Sequence, residues 1–95
     1  MKLAWSNLAK GELQELRRYS VERWGREVAQ RYLEDLRAIA KQLSVDPVRA
    51  RPLKGPFRIA RTRSHYLIVH VDAAADRLTI ARVLHVAMDI ERYLP

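Results

Sequence analysis

The sequence predicts an α+β fold: an N-terminal strand, then an antiparallel helix hairpin packed on one face of a three- to four-stranded antiparallel sheet, and a short C-terminal helix. Three observations predict it. Apolar residues recur at helical spacing through the first half of the chain. After residue 56 they recur at a spacing of two. A stretch holding Pro47, Pro52, Gly55 and Pro56 separates the two regimes. With 95 residues the chain is read as one domain, residues 1–95. A domain of this size buries only about two-thirds of its unfolded surface.

Lys2 to Trp5 reads as a short strand with Leu3 and Trp5 on one face. Ser6 or Asn7 can cap the helix that follows, because a short oxygen side chain there accepts an otherwise orphan backbone N–H. Leu8, Ala9, Leu13, Leu16, Tyr19 and Ser20 mark its stripe, Trp24 ends it, and Gly25 suits the left-handed residue that stops a helix. A second helix starts near Arg26, with Ala29, Tyr32, Leu33, Leu36, Ile39, Ala40 and Leu43 on its apolar face. So short a link makes the two helices an antiparallel hairpin. Ser44 to Pro56 is expected to be a connector. Phe57, Ile59 and Arg61 then alternate with Arg58, Ala60 and Thr62. In the next strand Leu67, Val69 and Val71 oppose Tyr66, Ile68 and His70. Leu78 to Val86 is a third strand, and short polar links make the three a meander. Met88 to Leu94 closes the chain with one or two helical turns. Tyr19, Trp24, Tyr32, Phe57 and Tyr66 are expected to be core residues.

Composition narrows the functional classes. Hydrophobic residues are 48% and charged residues 31%, a globular balance. With no cysteine, disulfides, thiol catalysis and Cys-based metal sites are excluded. No apolar run approaches the roughly 20 residues that span a bilayer, and the start lacks a signal-peptide core, so a cytoplasmic location without membrane contact is expected. The net charge is +7, and Arg supplies fourteen of the eighteen basic residues. Arginine's planar fork suits carboxylates and phosphates, which points to an anionic partner; the alternative is a solvated surface that keeps a small protein soluble. Residues 49–95 carry net +5 against +2 for residues 1–48. The span from Arg49 to His65 holds six basic residues and no acid: Arg49, Arg51, Lys54, Arg58, Arg61 and Arg63.

Chemical motifs are sparse. Three scattered glycines make no phosphate loop, and His65, His70 and His85 have no metal-ligand spacing, so no metal or cofactor is expected. On a two-residue period Arg82 shares a face with Ile80 and Leu84, while His85 points the other way. An unpaired charge on an apolar face costs several kcal/mol, so Arg82 either pairs with a carboxylate, such as Asp89 or Glu91, or binds a partner. His85 reads more simply as a structural histidine than as a catalytic one.

Three blocks, in order, resemble the ParE toxins of the RelE/ParE superfamily. They are Arg18-Tyr19-Ser20-x-Glu22-Arg23-Trp24-Gly25, then Ala29-x-Arg31-Tyr32-Leu33, then Arg82-Val83-Leu84-His85-x-x-Met88-Asp89. The resemblance covers nearly the whole chain and implies the RelE-like fold. It implies the toxin of a bacterial type II toxin–antitoxin pair, neutralised by a ParD-like antitoxin with an acidic, disordered C-terminal part. It further implies DNA gyrase as the target, poisoned by protein–protein binding without catalysis, and contact with DNA only through the antitoxin complex. A +7 toxin would attract such a tail rapidly. The partner-binding residues expected on this reading are Arg58, Arg61, Arg63, Arg82 and His85, with no catalytic residue. The sister branch, RelE-like ribonucleases that cut mRNA on the ribosome, would instead use Arg58, Arg61, Arg82 and His85 for catalysis. The single Lys and absent acid across residues 49–65, and the tail Met88-Asp89-Ile90-Glu91-Arg92-Tyr93-Leu94, depart from that branch. A non-toxic ParE-like binding protein and direct electrostatic DNA binding are the other readings.

Overall fold

The computed structural model describes residues 1–94. Strand β1 (Lys2–Trp5) leads into helix α1 (Asn7–Trp24) and helix α2 (Arg26–Val45). A 3-10 turn (Pro47–Arg49) precedes strands β2 (Arg51–Lys54), β3 (Phe57–Arg61), β4 (His65–Asp72) and β5 (Arg77–His85). A second 3-10 turn (Ile90–Tyr93) supplies the single closing helical turn expected between Met88 and Leu94.

The strand order is β1-β5-β4-β3-β2. The expectation of three to four antiparallel strands is corrected to five in a mixed sheet. β2, β3, β4 and β5 form antiparallel pairs, whereas β1 runs parallel to β5. A parallel neighbour requires a long crossover, and the helix hairpin occupies that stretch of chain. The fifth strand lies inside the expected connector: Arg51 to Lys54 pairs with β3 despite Pro52. Proline is tolerated there because β2 is an edge strand.

The two periodicities build two clusters, one on each face of the sheet. On the helix side, Leu36, Ala40 and Leu43 of α2 pack with Leu67, Val69, Leu78, Ile80 and Val83. On the other side Ile59, Ile68 and Leu84 are covered by Leu53, Phe57, Tyr66, Ile90, Tyr93 and Leu94. Phe57 and Tyr66 thus sit half-buried, and the C-terminal turn closes the face the helices leave open.

The helices share this work unequally. α2 buries Ala29, Leu33, Leu36, Ala40, Leu43 and Ser44, while α1 buries only Ala9 and Ser20. α1 therefore keeps apolar side chains in water. Leu8, Tyr19 and Trp24 are 61%, 55% and 53% exposed, which corrects the placement of Tyr19 and Trp24 in the core. The hairpin turns at Gly25 with φ +88°, outside the range favourable to side-chain-bearing residues.

Candidate functional site

The features that matter meet where β1 runs out. β1 pairs with β5 only as far as Trp5 and Ile80. Beyond that point β5 becomes an edge, and its backbone groups need other partners. Ser6 supplies the first. Its N–H donates to the Ile80 carbonyl (3.0 Å), its hydroxyl donates to the Ala81 carbonyl (2.7 Å), and the same oxygen caps α1 by accepting the Ala9 N–H (3.0 Å). Glu12, one and a half turns into α1, supplies the second by accepting the Val83 N–H at 2.8 Å.

The Glu12 carboxylate also holds Arg82. The guanidinium Nη2 donates to Glu12 Oε2 at 2.8 Å and Nε at 3.1 Å, while Nη1 donates to the Tyr93 carbonyl at 3.2 Å. The guanidinium also lies 5.3 Å from the centre of the Tyr93 ring. The pairing expected with Asp89 or Glu91 is corrected: the partner is Glu12, seventy positions earlier. The expected face is also corrected. Ile68 pairs with Arg82 but Val69 pairs with Ile80, so Ala81 is an extra residue, a β-bulge. A bulge reverses the alternation. Ile80 faces the helices, and Leu84 faces the C-terminal turn. Arg82 wraps the strand edge between α1 and that turn.

His85 lies across from His65 in the β4–β5 register, and the two rings meet edge to face at 5.2 Å. His65 Nδ1 is 2.7 Å from the Tyr32 hydroxyl of α2, whose oxygen accepts the Ser64 N–H at 3.2 Å. The Ala87 N–H donates to His85 Nδ1 at 3.0 Å. A nitrogen that accepts carries no proton, so neutral His85 has its proton on Nε2. Burial, with the adjacent His85 imidazole second, lowers the pKa of His65 from the ordinary histidine value.

Between α1 and the ends of β4 and β5 runs an open groove of about 1050 Å³. Leu8, Leu16, Tyr19, Trp24 and Met88 give it apolar walls, and Tyr32, His65 and His85 a polar centre. Tyr19 and Trp24 stack edge to face at 5.9 Å on its rim. Ser20, buried in its wall, has a hydroxyl oxygen with no hydrogen-bond partner among the described residues.

The strand arginines go elsewhere. Arg58 is half-buried and donates to the Ala50 carbonyl at 2.8 Å. Arg61 is exposed, 6.0 Å from the Tyr66 ring centre. Arg63 pairs with Asp35 at 2.9 Å. The structure therefore brings Arg82 and His85 to the walls of one groove and leaves Arg58, Arg61 and Arg63 outside it. Glu12, Tyr32 and His65 were not singled out as site residues from the sequence. No helical period marks Glu12 as special, and only the β1–β5 pairing reveals that an edge needs it.

A helix hairpin and a C-terminal turn on opposite faces of a five-stranded mixed sheet make up the fold of solved chains from toxin–antitoxin systems. A chain in a structure of the chromosomal ParDE toxin–antitoxin system from P. aeruginosa superposes with a TM-score of 0.77, at 22% identity, over 90% of this chain and 96% of that one. A chain of the RelBE2 toxin–antitoxin complex from Mycobacterium tuberculosis superposes at 0.68, with 22% identity, over 88% and 95%. The family described as the ParE toxin of the type II toxin–antitoxin system parDE matches residues 3–90. Toxin ParE1 of Caulobacter vibrioides is 32% identical over 92 residues, covering 94% of this chain and 93% of that protein. The chain belongs to the ParE toxin family of type II toxin–antitoxin systems.

Proposed function

We propose that this toxin acts on DNA gyrase by protein–protein binding and is neutralised by a ParD-like antitoxin whose acidic segment fills the groove beside α1. The state of Arg82 carries the non-catalytic part of this reading. A ribonuclease would need that guanidinium free to meet a phosphate in the transition state. Here Glu12 and the Tyr93 carbonyl take up its donors. His85 points into the groove on the helix side, with Nδ1 spent on the Ala87 N–H. Arg82 thus serves by fixing the strand edge that forms the groove floor, and His85 by offering a donor to a bound segment.

The antitoxin part rests on the groove and on charge. Apolar walls on the outer side of a helix are the usual receptor for an amphipathic segment. A net charge of +7 steers an acidic chain toward them. The exposed Arg61 and Arg63, at the end of β3 and in the turn after it, are available to the extended remainder of that chain. The gyrase target is the one that the resemblance to ParE toxins implies, and membership of that family supports it.

The test is neutralisation in cells. Induction of this chain alone should arrest growth with DNA damage, and co-expression of the antitoxin should restore growth. Tyr19→Ser with Trp24→Ser should stay toxic yet escape the antitoxin, because both rings are exposed and neither is in the core. Loss of toxicity with normal folding would move the groove to the target-binding surface. Unchanged neutralisation would remove the antitoxin from the groove.

A further inference from the structure

The groove centre holds two imidazoles that carry no counter-charge, and they have a use. We propose that His65 and His85 together seat a carboxylate side chain of the acidic protein segment that occupies the groove, and that docking there takes up protons. This inference rests on the groove being the antitoxin site.

The geometry presents donors. His85 Nδ1 accepts from the Ala87 N–H, so its Nε2–H is the free end. The Tyr32 hydroxyl, fixed by the Ser64 N–H, occupies His65 Nδ1 and leaves Nε2 as that ring's free end. The two rings are cross-strand neighbours on the helix side of the sheet and both line the groove. Charge-assisted hydrogen bonds from an imidazolium to a carboxylate are about twice as strong as neutral ones.

The surrounding charges are already paired. On α1, Glu12 holds Arg82 of β5, and Glu15 holds Arg18 at 2.7 Å. Tyr19 stacks on Trp24. On α2, the Tyr32 hydroxyl is bound as described. In the β3–β4 turn, Arg63 pairs with Asp35 and sits 6.0 Å from the Tyr32 ring centre. Among the described residues, no carboxylate pairs with either imidazole. A protein carboxylate fits this centre better than a nucleic-acid phosphate does. The walls are apolar, and the groove's two arginines, Arg18 and Arg82, are both engaged by glutamates.

Proton linkage gives the sign. In the free protein, burial and the neighbouring imidazole hold His65 toward its neutral form. A docked carboxylate favours the charged form and raises the pKa. Binding must then strengthen as pH falls through the histidine range, by up to about tenfold per pH unit for each proton taken up.

The experiment is calorimetric titration of the full chain with the full-length antitoxin encoded beside it, from about pH 8 to 5.5, across which histidine titrates. NMR of the His65 ring signals in the free and bound chain accompanies it. The expected result is affinity rising toward acid pH and His65 titrating at higher pH in the complex. His65→Gln with His85→Gln keeps amide donors at both places and should flatten the pH dependence. A complex of pH-independent affinity with an unmoved His65 titration overturns the carboxylate seat while sparing the docking reading. No complex at any pH overturns the docking reading itself. If the double variant fails to fold, the His65 titration in the unmodified complex decides.

Discussion

Glu12→Ala should be the most damaging single truncation of a charged side chain on α1. It removes the carboxylate that takes the Arg82 Nη2 and Nε bonds and the Val83 N–H. Breaking a fully buried ion pair costs about 3–5 kcal/mol, and an exposed one about 0–1. The two side chains here are 18% and 22% exposed, so the cost falls nearer the buried limit, at about 2–3 kcal/mol. For a domain of this length, that lowers the melting temperature by roughly 10–20 °C. Glu12→Gln keeps an acceptor for the Val83 N–H but loses the charge, and should cost about half as much. The assay is urea denaturation followed by circular dichroism, in a double-mutant cycle of Glu12→Gln with Arg82→Met. The cycle should yield a coupling energy above about 1 kcal/mol, because the two groups share one set of bonds. A Glu12→Ala loss below about 0.5 kcal/mol, or additive single variants, would refute the claim that this pair closes the β5 edge.

Two glycine replacements should act in opposite directions. A Cβ at Gly25 or Gly11 would meet nothing within 4 Å, so only the backbone decides. Gly25→Ala, at φ +88°, should cost about 1–2 kcal/mol, whereas Gly11→Ala inside α1 should gain about 0.5–1 kcal/mol. Equal effects in a thermal melt would contradict this. Stability should also fall as pH drops below the ordinary histidine value of 6.5. His65 has its folded pKa below that value, so the unfolded chain binds the proton first. The contribution is fully present above 6.5 and is lost as pH falls toward the lowered folded pKa. Denaturation midpoints near neutral and mildly acid pH should show this, and His65→Gln should reduce the slope.

Much of the fold was legible because its two periods are clean. The α2 stripe from Ala29 to Leu43 and the alternation of Leu67, Val69 and Val71 with Tyr66 and Ile68 assign faces that the structure repeats. β2 was hidden because Pro52 and the basic residues around it read as connector. The parallel partnership of β1 with β5 is a long-range pairing that no local pattern announces. The site was legible only in part. Arg82 stood out as a charge on an apolar strand, yet its partner lies seventy positions away, and the bulge at Ala81 reverses its face. Tyr19 and Trp24 fell on the apolar stripe of α1, and nothing local said that α2 would take the sheet and leave them in water.

The central claim is inhibition of gyrase by binding, and DNA supercoiling by gyrase in the presence of the purified chain tests it most directly, run beside mRNA cleavage in a translating extract. The expected result is lost supercoiling with trapped cleaved DNA, reversal by the antitoxin, and intact mRNA. Cut mRNA with normal supercoiling would contradict it and would make Arg82 and His85 candidates for catalysis in spite of the Glu12 bond.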